Sequence, residues 1–229
     1  IRHRSQLNEN QIVVIPNWFK DKKILNTEES YKNMLFKDVK AKEKLVISYF
    51  GNMGIAQDLN TLIEAIKQFK NDEDVVFVFA GHGNKLPYLN DVVDKAGLKN
   101  VIIYEFLHGE DFQDALNISD VFVVSLEKGL TGLAVPSKTY SYMMAGKPVI
   151  AIMDADSDIS KDLIENNAGF AIEVGEVENL VNAIKELKKD QQLRKEMGLN
   201  IRRVFEEKYT TEKATSKYVD MIKGVLEEK

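Results

Sequence analysis

Residues 129–150, GLTGLAVPSKTYSYMMAGKPVI, decide the fold. They spell a glycine-bearing loop, a proline, a short helix, and then a turn feeding a strand. Gly129 and Gly132 let a backbone come close to a ligand. Pro136 and Ser137 suit the first positions of a helix, which sets Lys138 just inside it. The free N–H groups of a helix start favour anions, and Lys138 adds a full positive charge there. Ala145-Gly146-Lys147-Pro148 stops the helix, and Val149-Ile150-Ala151-Ile152 has the composition of a buried strand. Together these features suit a phosphorylated ligand held at the end of a sheet.

Strands and helices alternate outward from this segment. Upstream, LVISYF (45–50) is a strand ending at Gly51. Residues 57–70 place Leu59, Leu62, Ile63, Ile66 and Phe69 on one helical face. VVFVFA (75–80) is a continuous apolar run, as in a strand buried on both faces, and it runs into Gly81-His82-Gly83. A helix over 85–96 stops at Gly97. A strand over 101–106, a helix over 110–118 and a strand over 120–126 follow. Downstream come a strand over 149–153, a helix over 159–166 and a strand over 169–174. Helices alone fill 177–190, 191–208 and 210–229, the last with Thr210 or Thr211 as N-cap.

Such alternation gives a parallel sheet with right-handed crossovers and helices on both faces. The expected fold class is α/β: a Rossmann-like three-layer α/β/α domain of about six parallel strands, extended by C-terminal helices. Ligands of these sheets bind beyond the carboxyl ends of the strands. Gly51 and Gly54, Gly81 and Gly83, and Gly129 and Gly132 all fall at those ends. The sequence has neither the GxGxxG fingerprint of dinucleotide binding nor a Walker A loop.

Composition narrows the partners. The 229 residues carry a net charge of −5, against the basic surface that nucleic-acid binding requires. There is no cysteine, which excludes disulfides, thiolate metal sites and a cysteine nucleophile, and suits a reducing compartment. No apolar run approaches the ~20 residues of a membrane-spanning helix, and no secretory signal is visible. His3, His82 and His108 lack metal-ligand spacing, so no metal is expected. The chain opens on Ile1, and IVVI (12–15) has no apolar partner before it. We therefore expect a piece of a longer polypeptide that begins near a domain junction.

Several side chains have both a functional and a plain structural assignment. His82 suits a ribose or phosphate contact, or a solvent-facing turn. Phe106 could flank a nucleobase or pack in the core. Ser137 and Lys138 are placed to neutralise a diphosphate. Trp18 suits a hinge contact or simple packing, and Tyr140 and Tyr142 are expected to pack against neighbouring elements.

The segments VIPNW (14–18), YFGNMG (49–54), VFAGHG (78–83), VPSK (135–138) and AGKPVI (145–150) appear in one order. In that order the chain resembles the retaining nucleotide-sugar glycosyltransferases of the two-domain GT-B architecture, especially glycosyltransferase family 4. The resemblance covers the family's C-terminal, donor-binding half. VPSK followed by AGKPVI is similar to the subgroup that builds bacterial surface polysaccharides.

The resemblance implies roles. Gly51, Asn52 and Gly54 would face the donor diphosphate. Gly81, His82 and Gly83, with Glu105, Phe106 and Leu107, would lie near the nucleoside. Gly132, Leu133, Val135, Pro136, Ser137 and Lys138 would wrap sugar and phosphates, with Lys138 as the catalytic cation that offsets leaving-group charge. Residues 1–44 would form an interdomain segment, 45–209 the nucleotide-sugar-binding domain, and 210–229 a helix crossing back to an N-terminal domain. The substrate would be a nucleotide-diphosphate sugar, with no cofactor. The acceptor, a glycan or a lipid-linked glycan, would be held by the N-terminal domain. The enzyme would be cytoplasmic, with peripheral association at the inner face of the cell membrane.

Two departures stand against the family pattern. Many members carry two glutamates eight apart, which would fall at Leu133 and Ser141; neither is acidic here. Ser141 can still hydrogen-bond a ribose hydroxyl. Where members often carry a lysine after the first glycine loop, this chain has Ala56-Gln57. The alternatives are a non-catalytic binding module of the same fold, or half of a sugar-nucleotide epimerase.

Overall fold

The computed structural model describes residues 12–22 and 27–227. The opening segment with His3, and the last two residues of the expected final helix, lie outside the described residues.

Among the described residues six strands form one sheet: β1 Leu45–Asn52, β2 Val75–His82, β3 Val101–Tyr104, β4 Val121–Ser125, β5 Val149–Ile152 and β6 Gly169–Ile172. Their order is β3-β2-β1-β4-β5-β6, and every pairing is parallel. The chain steps outward one way from β1 to β3 and the other way from β4 to β6. The reversal between β1 and β4 is the topological switch point, where such sheets open a crevice.

The helices are α1 Thr27–Ser30, α2 Asn60–Gln68, α3 Leu86–Ala96, α4 Gly109–Ile118, α5 Thr139–Ala145, α6 Asp158–Glu165, α7 Val177–Lys189, α8 Gln191–Lys208 and α9 Thr211–Glu227, with a 3-10 turn over Met34–Val39. Both faces of the sheet are covered, which explains the continuous apolar runs. Leu45, Ile47 and Tyr49 pack with α2, α3 and α7. Val46 and Phe50, alternating with them, pack with α4, α5 and α8. Phe36 and Val39 of the 3-10 turn are buried in that second cluster.

Several expected boundaries move, three of them for a clear local reason. The strand at 101–106 stops at Tyr104, where its pairing with β2 ends, so Glu105, Phe106 and Leu107 lie beyond it. The sixth strand likewise ends at Ile172 rather than 174, with its last partner Ile152. The helix expected to begin at Pro136–Ser137 begins at Thr139. There the Thr139 N–H (3.0 Å) and its hydroxyl (2.7 Å) both donate to the Pro136 carbonyl. That closes a separate turn, so Lys138 stands at the N-cap rather than inside the helix.

At the other end, Phe19 donates its N–H to the Tyr209 carbonyl at 3.0 Å, tying the entry segment to the α8–α9 junction. Trp18 sits edge-on to Tyr218 of α9, at 5.9 Å between centroids. Of α9 only Ala214 is buried, while Tyr218, Val219, Ile222, Val225 and Leu226 are exposed. Among the described residues no helix is long and apolar enough to cross a membrane, and no group of three or more His, Asp or Glu is placed to hold a metal ion.

Candidate functional site

The switch point opens because β1 and β4 pair only at Ile47↔Val121 and Ser48↔Phe122. Beyond Ser48 the two strands no longer bond, and α5 fills the gap from below. Tyr142, fully buried, stacks flat on Phe122 at 4.2 Å between centroids. Its hydroxyl accepts from the Phe50 N–H at 2.8 Å and donates to the Phe50 carbonyl at 2.6 Å. One side chain thereby satisfies two backbone groups that β4 leaves unpaired. Burial drives its phenol far above the usual tyrosine pKa, so it stays protonated and keeps donating.

Above Tyr142 lies a cleft of about 220 Å³. Its walls include Gly51 and Asn52 from the end of β1, and Val135, Pro136, Ser137 and Lys138 from the segment before α5. Gln57 and Ser125 complete its polar lining. Gly51 has φ +146°, and a Cβ there would lie 3.3 Å from Lys138 Cγ. The lysine stem thus lies directly across the glycine backbone.

Lys138 Nζ sits 4.5 Å from the centroid of the Phe112 ring and 5.3 Å from that of Phe106. Ring faces attract a cation by about 0.5–2 kcal/mol, more as water is removed. Burial pushes the ammonium pKa down from 10.5, and no carboxylate acts to raise it. Among the described residues, then, Lys138 is a half-buried cation without an anionic partner. It is available to neutralise a ligand at the end of the sheet.

The remaining expected residues surround this cleft at different depths. Gly54 is buried, and its N–H donates to Gln57 Oε1 at 3.0 Å. The Asn52 amide donates to the same oxygen at 3.3 Å. Gly81 lies beside Gly51 on the neighbouring strand, and Gly83 beside Met53, each too close to admit a side chain. Exposed His82 and His108 flank Phe106, with ring centroids 5.4 and 4.6 Å away. Glu105 is exposed, and Leu107 is half-buried against the core. Gly132 and Leu133 stand in the loop away from the cleft wall, Leu133 being 81% exposed. That loop is tied by Asp154, which accepts from the Gly129 N–H at 3.1 Å and the Thr131 hydroxyl at 2.8 Å. Ser141 is buried, and its hydroxyl donates to the Lys138 carbonyl at 2.7 Å.

Sequence reasoning does not find Tyr142, Gln57 or Ser125 as site residues. Periodicity assigns Tyr142 to packing alone, and a dual hydrogen bond to a strand leaves no periodic trace. Gln57 stands in the sequence only as the place of an absent lysine. Its position just after a glycine loop was the available signal.

The sequence pattern of the family Glycosyl transferases group 1 matches residues 30–204. A glycosyltransferase of Pseudomonas aeruginosa, WbjE, is 35% identical over 133 residues, 56% of this chain and 32% of its own. A glycosyl transferase named for colanic acid biosynthesis in Escherichia coli, WcaI, is 24% identical over 178 residues, 76% of this chain and 43% of its own. The chain therefore spans less than half the length of either curated relative. The structure of Anabaena HepE in complex with UDP-glucose superposes with a TM-score of 0.75 at 18% identity, over 94% of this chain and 57% of that one. The six-stranded parallel sheet with its flanking helices is that of the C-terminal domains of GT-B glycosyltransferases. The chain belongs to the group 1 glycosyl transferases.

Proposed function

We propose that this chain is the donor-binding half of a retaining family 4 glycosyltransferase that moves a sugar from a nucleotide diphosphate onto a glycan or lipid-linked acceptor. The observation that carries this is Lys138. It is a partly desolvated cation with no carboxylate partner, laid across the Gly51 backbone at the switch point of a parallel sheet. In the transfer the bond from the anomeric carbon to the phosphate oxygen breaks, and a bond to the acceptor oxygen forms on the same face. The acceptor proton leaves with the departing diphosphate. Charge grows on that diphosphate as it leaves, and a fixed ammonium stabilises it most at the transition state. Lys138, Ser137, Asn52 and the Gly51 backbone meet the phosphates. Phe106 and His82 lie on the nucleoside side, and residues 132–135 on the sugar side. No metal is required for these roles.

The exposed apolar face of α9 and the short span relative to WbjE and WcaI support a division of labour. Residues 1–44 and 210–229 lead to an N-terminal domain that holds the acceptor. This chain alone binds donor and transfers nothing. The name of WcaI, which gives colanic acid biosynthesis, supports polysaccharide biosynthesis as the setting; in this reading the product is a bacterial surface polysaccharide made in the cytoplasm at the inner face of the membrane. The UDP-glucose held by HepE supports a nucleotide sugar as donor.

Titration calorimetry of the folded chain with uridine, guanosine and adenosine diphosphates is the test. One of them should bind, and Lys138→Ala should weaken it by about tenfold or more, the loss of at least one charge-assisted hydrogen bond. Binding by none of the three, or an unchanged affinity in Lys138→Ala, overturns the proposal. A second reading, a binding module without transferase chemistry, is favoured by one observation. Leu133 points to solvent and Ser141 bonds its own helix, so neither family glutamate position offers the cleft a carboxylate. Transferase activity in the longer protein, lost in Lys138→Ala, would eliminate that second reading.

A further inference from the structure

The loop after β1, residues 53–57, has no cation of its own. One reaches it from the next crossover. Lys85, at the start of α3, donates its Nζ to the Gln57 carbonyl and to Glu127 Oε1, both at 2.6 Å. Its backbone N–H donates to the Met53 carbonyl at 2.8 Å, which fixes its base against the same loop. Glu127 is fixed as well, since its N–H donates to the Ala56 carbonyl at 2.9 Å. The pair is partly sheltered, with side chains 22% and 36% exposed. Gln57, whose carbonyl holds the ammonium, lines the cleft that Lys138 overhangs. An ammonium has three N–H donors, and Lys85 spends two.

We propose that Lys85 is a second phosphate-binding cation of the donor cleft, and that Glu127 restrains it. This rests on the cleft being a diphosphate site. A diphosphate carries more charge than Lys138 alone can neutralise. The third Lys85 N–H, pivoting on the Gln57 carbonyl, supplies a further charge-assisted bond. Glu127 holds the ammonium at the loop in the free protein and competes with the phosphate for it in the bound one. An ion pair that served only to clamp two loops would behave differently. Breaking it from either side would then loosen the same loops and shift binding the same way.

The test is calorimetry of the chain with inorganic pyrophosphate, with the nucleoside diphosphate the wild type binds, and with the corresponding nucleoside. Lys85→Met should weaken both phosphate ligands about tenfold and leave the nucleoside unchanged, as expected for one lost charge-assisted bond. Lys85→Arg should stay within about threefold of wild type, and Glu127→Gln should tighten phosphate binding about threefold. Opposite signs for Lys85→Met and Glu127→Gln support the proposal. Weakening by both, or no effect of Lys85→Met, overturns it while wild-type binding leaves the donor-site reading intact. Should Lys85→Met fail to fold, weaker binding by Glu127→Gln overturns it alone. A wild-type chain that binds no diphosphate removes both proposals.

Discussion

The two edges of β1 differ sharply. Toward β2 the strand is paired along its whole length, from Leu45↔Val75 to Asn52↔His82. Toward β4 it is paired only at Ile47 and Ser48. On the first edge, one pair before the end, the backbones come so close that only glycine fits at position 81. On the second a wedge opens, and a tyrosine hydroxyl stands in for the missing strand. A crevice in a sheet leaves backbone donors and acceptors without partners, and burying them unpaired costs about 1–3 kcal/mol each. Here the closed edge fixes the Gly51 backbone, and the open edge exposes it to Lys138. The site needs both.

The closed edge breaks most severely at Gly81. Its φ is +146°, and a Cβ there would lie 1.9 Å from the Gly51 carbonyl oxygen, backbone against backbone. No side chain can rotate away, so β1 and β2 must part. Gly81→Ala should cost roughly 3–5 kcal/mol, the upper range for a single substitution. Urea unfolding measures it. A cost under about 1 kcal/mol would mean that the end of β1 is not rigidly held.

The open edge breaks next, at Tyr142. Phenylalanine keeps the ring and its stacking on Phe122 and removes only the hydroxyl. The Phe50 N–H and carbonyl then lose their shared partner. Tyr142→Phe should destabilise by about 2–4 kcal/mol, two buried groups left unsatisfied. Nucleotide affinity should fall as well, since Phe50 leads directly into Gly51. A destabilisation below about 1 kcal/mol would show that water or a shifted β4 satisfies Phe50 equally well.

The contrast between the edges also separates what the sequence disclosed from what it hid. The continuous apolar runs at 45–50 and 75–80, and the helical spacing of Leu59, Leu62, Ile63 and Ile66, disclosed the sheet and its layers. Both signals are local, and buried parallel strands impose them. The glycines at strand ends disclosed which edge of the sheet bears the cleft. What stayed hidden is set by distant partners. The helix start moved to Thr139 because a threonine side chain and its own N–H close on Pro136, a choice that propensity does not make. Lys85 and Glu127 lie 42 residues apart and share no spacing pattern. Tyr142 meets Phe50 across 92 residues, so its hydroxyl could be placed only once β1 and α5 were packed.

The smallest effect distinguishes the two edges by titration. Burial over the open edge lowers the Lys138 pKa below 10.5. In the free chain the charged form is therefore disfavoured, and this penalty is relieved as pH rises through the depressed pKa. A bound phosphate reverses the balance, because the anion favours the ammonium and raises its pKa. The bound value then exceeds the free one. Affinity is greatest below the free-state pKa and falls as pH climbs from the free value to the bound value. Calorimetry with the nucleoside diphosphate across the alkaline range should thus show a decline that begins below 10.5, with proton uptake on binding in the same window. Lys138→Arg should bind with a smaller decline and less uptake than wild type, because a guanidinium does not titrate in this range. If Lys138→Arg declines in parallel with wild type, the titrating group lies elsewhere, and the cation over the open edge is not what the phosphate feels.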